Sequence, residues 1–170
     1  KYVAYFRNSV IVAVGTVLTT LVLSVPAGYA FSRYRFRGKS ALLSAVMSVQ
    51  MFPIVVILAS LYIFYTKLGL LSSYPGLILS DTTFALPLAV TLVKSFFDTV
   101  PKSLDESARI DGAGKMRTLV EILFPLVKPG IVAVCIYTFL NAWDDYMMSL
   151  IIMQDASMKT LPVGIAETFL

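Results

Sequence analysis

Residues 101–130 read PKSLDESARIDGAGKMRTLVEILFPLVKPG, a charged stretch in a chain otherwise dominated by long apolar runs. Ser103 is a favourable N-cap residue, and Glu106 three positions later completes the capping-box pattern of a helix start. Gly112 can adopt the left-handed backbone conformation that ends a helix. The pattern therefore predicts a short helix that starts at Ser103 and stops at Gly112.

A second, amphipathic helix is predicted after this turn, because apolar residues recur there with helical spacing. They are Met116, Leu119, Val120, Leu123 and Phe124. Pro125 and Pro129 are expected to end this helix. Residues 101–130, called the elbow below, are thus predicted to form a helix-turn-helix at a membrane surface.

The rest of the chain is too apolar for a soluble domain. Of its 170 residues 58% are hydrophobic, with a mean hydropathy of +0.81, against about 45–50% in soluble domains. The excess lies in runs long enough to cross a bilayer as helices. We predict an all-α, polytopic membrane helical bundle with four spans at about residues 8–32, 41–66, 76–97 and 131–153, kinked at Pro53 and Pro87.

The distribution of positive charge predicts the orientation of these spans. Ten of the fourteen lysines and arginines flank the first span's end or lie around the elbow, and positive loops face the cytoplasm. They are Arg33, Arg35, Arg37, Lys39, Lys94, Lys102, Arg109, Lys115, Arg117 and Lys128. The same clustering beside apolar runs argues against nucleic-acid binding.

Several classes of chemistry are disfavoured by composition. The sequence contains no histidine, which removes the commonest general base and metal ligand. The one cysteine, Cys135, lies in an apolar run, so no disulfide framework exists. The sequence contains no GxxxxGK[ST] phosphate-binding loop. We therefore expect a protein that is not an enzyme, with no catalytic residues, no metal site and no cofactor.

A polar run interrupts the fourth apolar segment at 141–146, NAWDDY. On a continuous helix Asp144 would lie about 20 Å from the elbow, where a carboxylate must face water, a partner or a pathway. Asn141 and Asp145 would share one helix face. Gln50, beside the expected kink at Pro53, is a further candidate for lining a pathway. A structural polar cluster between neighbouring helices is an equally weighted alternative.

The elbow resembles the EAA loop of ABC importer permeases, because Glu106, Ser107 and Ala108 are followed at that loop's spacing by Gly112, Ile122 and Pro125. The run 106–113, ESARIDGA, is similar to the carbohydrate, or maltose-permease, class of these proteins. Ser107 stands where the pattern has a second Ala, and Phe124 stands where it has Leu. Without this resemblance, an amphipathic helix resting on lipid head groups would be an equal alternative.

The resemblance implies a transmembrane permease subunit of an importer for a sugar or oligosaccharide, with residues 1–170 as the permease core. It implies that the elbow couples to a cytoplasmic ATPase through Glu106, Ser107, Ala108, Asp111, Gly112, Ala113, Ile122 and Pro125. It also assigns a sugar pathway to Asn141, Trp143, Asp144 and Asp145, with Trp143 stacking on a sugar face.

The same resemblance implies an ATPase dimer, a second permease subunit, an extracytoplasmic solute-binding protein and the lipid bilayer as partners, in a bacterial or archaeal inner membrane. Such permeases usually have six spans. The chain starts at Lys1, without Met, and four spans put both ends on one face. It is therefore expected to be a piece lacking one upstream and one downstream span.

Three other functions are alternatives. One is an importer for another solute, such as a polyol phosphate or a polyamine. Another is a secondary transporter in which Asp144 and Asp145 bind protons or a coupling ion. The third is a membrane-embedded enzyme that uses the paired aspartates, which is the least favoured.

Overall fold

The computed structural model describes residues 1–169, where the backbone forms helices and no strands, which confirms the predicted all-α class. In chain order the helices are α1 Tyr2–Arg33, α2 Lys39–Ser48, α3 Ile54–Leu68, α4 Tyr74–Thr99, α5 Ser103–Ile110, α6 Lys115–Arg117, α7 Phe124–Leu126, α8 Lys128–Asp144, α9 Met147–Ile152 and α10 Leu161–Phe169. A 3₁₀ turn at Val49–Met51 follows α2, and π-helical turns at Thr118–Leu123 join α6 to α7.

The contact between α1 and α4 forms the core of the fold. Residues of α1 spaced four apart are buried in this contact: Asn8, Val12, Thr16, Thr20, Ser24, Gly28 and Ser32. Buried residues of α4 follow the same four-residue spacing: Leu77, Ala85, Ala89, Val93 and Phe97. Ridges of residues four apart fit into one another, and small side chains let the backbones approach closely. A Cβ at Gly28 would lie 2.9 Å from the backbone nitrogen of Lys94.

Helices α1 and α4 run parallel, and α8 runs antiparallel to both. At one end of the bundle the Tyr74 hydroxyl donates to Asn8 Oδ1 at 2.8 Å, and at the other Ser32 Oγ donates to Asp98 Oδ1 at 2.6 Å. The start of α8 meets α4 at that second end, where Gly130 lies against the ring of Phe96. We call this the elbow end, and the opposite one the amino end.

Two helices, Tyr2–Arg33 and Tyr74–Thr99, are long and apolar enough to cross a membrane, and up to four spans result if each of two bent helix pairs counts as one. These two helices contain the predicted first and third runs, 8–32 and 76–97. Pro87 lies inside α4 without ending it.

The second apolar run contains two helices rather than one kinked helix. The segments Lys39–Met51 and Ile54–Leu68 meet at 93°, so the kink predicted at Pro53 is a complete break between two helices. Proline has no N–H to donate and pushes the preceding residue towards extended backbone. Phe52 has φ −79° and ψ 126° accordingly, and the helix restarts only at Ile54.

The fourth run is also interrupted, because α8 ends at Asp144 and Asp145 is extended, with φ −64° and ψ 119°. The Asp145 carboxylate accepts hydrogen bonds from the backbone N–H groups of Met148, at 3.2 Å, and Ser149, at 2.8 Å. Aspartate favours such a capping arrangement over a helix interior. The expectations of one helix over 131–153, and of a helix face shared by Asn141 and Asp145, are therefore wrong.

At the amino end, Asn8 holds three parts of the chain together. Its side chain is fully buried and donates from Nδ2 to the carbonyl oxygens of Ser157 at 2.9 Å and Lys159 at 3.0 Å. Its Oδ1 accepts the bond from Tyr74 described above. Asn8 thus joins α1 to α4 and to the segment that leads into α10.

Because a buried polar group without its partner is costly, we expect Asn8→Ala to lower the free energy of unfolding by about 2–3 kcal/mol. Thermal and denaturant unfolding of the purified protein in detergent measures this change. Asn141→Ala is the matched control, since Asn141 is exposed and, within residues 1–169, its side chain donates only to the Tyr137 carbonyl of its own helix. Equal stabilities of the two variants would contradict the joining role of Asn8.

Candidate coupling surface and pathway site

The first helix of the elbow, α5, starts without the capping box that the sequence suggested. Ser103 is its first helical residue, Lys102 precedes it, and no side chain caps the start. The predicted reciprocal bonds of Ser103 and Glu106 are therefore wrong. The first turn keeps Asp105 and Glu106, whose charges interact favourably with the free N–H groups there.

The end of α5 is formed as predicted, with Gly112 in the left-handed conformation at φ +77°. The Ala113 N–H donates to the Ala108 carbonyl at 2.9 Å, and the Gly112 N–H donates to the Arg109 carbonyl at 3.1 Å. These two bonds are the Schellman arrangement. A Cβ at position 112 would meet no atom within 4 Å, so only the backbone conformation requires glycine here.

The second part of the elbow is helical from Lys115 to Leu126 and then turns by 80° into α8. Pro125 lies inside this segment, and Pro129 lies in the first turn of α8. The helix ends, and the chain changes direction, between the two prolines as predicted. The break falls at Val127 and not at either proline.

The predicted apolar stripe of this segment is divided. Leu119 and Leu123 are buried in the cluster with α4 and α8, and Phe124 packs against it. Met116 and Val120 instead are 72% and 57% exposed. The spacing of 3.6 residues assumed an α-helix, whereas π-helical turns at Thr118–Leu123 hold more residues per turn. Side chains four apart still share a face, whereas side chains three apart no longer do.

Burial divides the eight predicted coupling residues into two groups. Those exposed are Glu106, Ser107, Asp111, Gly112 and Pro125. Ala108 is buried, and Ala113 and Ile122 are half-buried. Ile110 adds an apolar side chain that is 86% exposed, and the sequence analysis did not single it out. The exposed residues form a mixed polar and apolar surface, while the buried ones hold the elbow together.

An ion pair on the same segment joins Arg117 Nε to Glu121 Oε2 at 2.8 Å, four residues apart. The hydrogen bond that Arg117 donates to the Glu121 carboxylate raises the pKa of the Arg117 guanidinium above its usual value. Both side chains are exposed, so the pair contributes little to stability.

Towards the amino end, the predicted pathway residues surround the break in α8. Asn141 and Asp145 line a small cavity of about 100 Å³, together with Asp81 of α4 and Ile54 of α3. A wider, open groove beside it is lined by Asn141, Asp144 and Asp145, and again by Ile54. The structure therefore brings Asn141, Asp144 and Asp145 together, although not on one helix face.

Asp81 belongs to this site, although it was not among the site residues predicted from the sequence. Its Oδ2 atom is buried and has no hydrogen-bond partner among residues 1–169. A lone carboxylate within an apolar run was the available signal, but the limits of the third span suggested a place near the membrane surface.

The other two predicted pathway residues lie apart from this cavity. One face of the Trp143 indole stacks on Phe139, at a centroid distance of 5.6 Å and an interplanar angle of 16°, so a sugar could stack only on the other face. Phe6 contacts the same indole at 5.5 Å in an edge arrangement. Gln50 is exposed on the 3₁₀ turn before Pro53, and the cavity wall takes Ile54 from this part of the chain instead.

Within residues 1–169 no three His, Cys, Asp or Glu side chains are grouped to hold a metal ion. Of the cavity carboxylates, Asp145 accepts hydrogen bonds from the backbone N–H groups that follow the helix break.

Comparison with known proteins identifies the family. Residues 20–169 match the family model described as "Binding-protein-dependent transport system inner membrane component". The inner membrane ABC transporter permease protein YcjP of Escherichia coli (strain K12) is 36% identical over 168 residues, which cover 99% of this chain and 60% of YcjP. The trehalose/maltose transport system permease protein MalG of Thermococcus litoralis is 37% identical over 163 residues, covering 96% of this chain and 59% of MalG.

The fold is similar to a chain of a bacterial ABC transporter involved in the import of the acidic polysaccharide alginate. The TM-score is 0.86 over 99% of this chain and 59% of that one, at 23% sequence identity. The present chain spans less than two thirds of each of these relatives. The matches agree with the resemblance seen in residues 106–125, and the chain belongs to the binding-protein-dependent transport system inner membrane components, the permeases of ABC transporters.

Proposed function

We propose that this chain forms the core of the transmembrane permease subunit of an ABC importer for a sugar or oligosaccharide, and that it hydrolyses no ATP itself. The observation that carries the proposal is the elbow, whose turn at Gly112 presents exposed polar and apolar side chains beyond the ends of α1 and α4. MalG, which transports trehalose and maltose by its name, supports a sugar as the solute.

The proposed membrane arrangement has four spans: α1, the bent pair α2–α3, α4, and α8 with α9. The elbow end faces the cytoplasm, because the positive residues cluster there. The proposed permease bundle has six spans, four of them formed by these residues, and the family match supports this proposal.

Coupling to a cytoplasmic ATPase is assigned to the exposed surface of the elbow. Glu106, Asp111 and the Gly112 turn supply its polar part, and Ile110, Met116 and Val120 supply its apolar part. Apolar side chains this exposed are typical of a surface that a partner protein covers. Movement of the ATPase subunits would displace α5, and the rigid helices would alternate the access of the pathway.

The pathway is assigned to the place where two helix breaks meet. The break at Pro53 and the break at Asp145 adjoin the same cavities, since Ile54 lines both with Asp145. Within a bilayer, irregular backbone is tolerated where it lines a cavity or is buried in protein, and discontinuous helices often form transport sites. Asn141, Asp144 and Asp81 would exchange hydrogen bonds with sugar hydroxyls, and Gln50 and Trp143 would lie at the periphery.

The proposed partners are an ATPase dimer, a second permease subunit that is identical or homologous, and an extracytoplasmic solute-binding protein. The family description, which names binding-protein-dependent transport, supports the last of these. The solute is assigned by class only.

The elbow proposal predicts a strong effect of Gly112→Val on transport. A branched side chain at φ +77° is strained by about 1–2 kcal/mol or more, so the turn should deform. We expect loss of ATPase association and of ATP-dependent solute uptake, with normal insertion into the membrane. Pull-down of the cognate ATPase by the full-length permease, together with uptake into vesicles, measures both effects.

Gly114→Val is the matched control, because Gly114 has φ −70° and a Cβ there meets no atom within 4 Å. It should retain most of the uptake. If both variants bound the ATPase and transported equally well, the elbow would not be the coupling element. An ion-driven carrier using Asp144 and Asp145 would then be the better assignment.

The pathway proposal predicts different effects for substitutions at Asp144 and at Asp145. Asp145→Ala removes the acceptor for two backbone N–H groups, so we expect it to lower stability by about 1 kcal/mol. Asp144→Ala should leave stability unchanged, because Asp144 is exposed, but lower solute uptake at a fixed rate of ATP hydrolysis. Thermal unfolding and uptake by the assembled transporter give the two readouts. Unchanged uptake with Asp144→Ala would remove this residue from the pathway.

A further inference from the structure

Arg33, in the last turn of α1, contacts two other parts of the chain at the elbow end. Its Nη2 donates to the backbone carbonyl of Val100, just beyond α4, at 3.0 Å. Its Nε lies 3.0 Å from Asp105 Oδ2 in α5. The Nε–H bond does not point at that oxygen, so the second contact is an ion pair without a directed hydrogen bond.

Because Arg33 and Asp105 are largely buried, these contacts are costly to break. The side chains of Arg33 and Asp105 are only 7% and 20% exposed. A charge removed from water needs its partners, and breaking such a pair costs far more than breaking one at the surface. A guanidinium can contact two groups in different directions, which a lysine ammonium does less well.

The ion pair also bridges elements that the chain does not join directly. Helix α5 follows α4 after only three residues, Val100–Lys102, so a displacement of α5 reaches α4 through the backbone. No such short link connects α5 to α1, which precedes it by the whole of α2, α3 and α4. Arg33 supplies this link through Asp105.

At the same level, α1 and α4 are bound to each other through Asp98. Its carboxylate accepts from Ser32 Oγ at 2.6 Å and from Lys94 Nζ at 2.5 Å. Deeper in the bundle, Tyr29 of α1 packs edge-on against Phe97 of α4 at 5.6 Å. The junction therefore holds α1, α4 and α5 together by contacts on each side of Arg33.

We infer that Arg33 is a positioning residue that transmits movement of α5 to α1, so that α1 and α4 shift as one unit when α5 is displaced. This inference rests on the proposed function, since it assumes that an ATPase displaces α5. It assigns to the first helix a part in coupling that the elbow motif alone does not include. The ion pair adds a direct contact from α5 to α1 to the backbone connection from α5 to α4.

The test uses the complete transporter, with its ATPase and solute-binding protein, reconstituted in lipid vesicles. The variants are Arg33→Glu, Asp105→Arg, the double charge reversal, and the milder Asp105→Asn. The measured quantity is the amount of solute imported per ATP hydrolysed. We expect each single charge reversal to lower this ratio at least about fivefold while ATP hydrolysis continues, with a smaller decrease for Asp105→Asn.

The double reversal should restore part of the ratio, because the ion pair is re-formed with opposite polarity. Restoration is incomplete, since the new carboxylate at position 33 cannot donate to the Val100 carbonyl. A matched control is Lys159→Glu with Glu167→Lys, singly and together. That ion pair lies at the amino end, away from the elbow, so its reversal should leave the ratio unchanged.

Two results would overturn the inference. One is an unchanged ratio in all Arg33 and Asp105 variants. The other is a parallel loss of import and hydrolysis, in proportion to the amount of assembled transporter, which indicates a purely structural ion pair. Absence of ATP-dependent import by the unaltered transporter would instead refute the proposed function, so the two failures are distinguishable.

Discussion

The close contact of α1 with α4 is the constraint on which the rest of the structure depends. Two parallel helices approach closely because small residues of α1, from Thr16 to Gly28, meet a row of α4 that includes Ala85 and Ala89. This pair places Asn8 beside Tyr74 at one end and Arg33 beside Val100 at the other. Helix α8 then packs along both, and its position fixes where the elbow leaves and re-enters the bundle.

The two ends of this helical pair differ in the kind of interaction that attaches neighbouring segments. At the amino end, neutral hydrogen bonds of a buried amide secure the segment before α10. At the elbow end, charged groups connect α1, α4 and α5. The elbow is therefore attached to the helical pair by contacts that depend on charge. Between these ends, the interruptions at Pro53 and Asp145 adjoin one another and collect Asn141, Asp81 and Asp145 at one cavity.

Much of this could be predicted from the sequence, and the failures have physical causes. Apolar length predicted α1 and α4, and Gly112 predicted the Schellman turn, because both depend on local chemistry. Apolar length alone could not reveal that the second and fourth runs each contain two helices. The capping box that does not form, the π-helical turns and the position of Asp81 depend on packing partners distant in sequence, which the local spacing of residues does not report.

The exposed apolar residues of the elbow should affect how rapidly the protein is degraded in the cell. Ile110, Met116 and Val120 present their side chains to water as long as no partner covers them. Under the proposed assembly, a permease made without its ATPase would display this surface continuously. Chaperones and proteases act on such exposed apolar segments. The abundance of the permease should therefore follow the supply of its ATPase, because permease without a partner would be degraded.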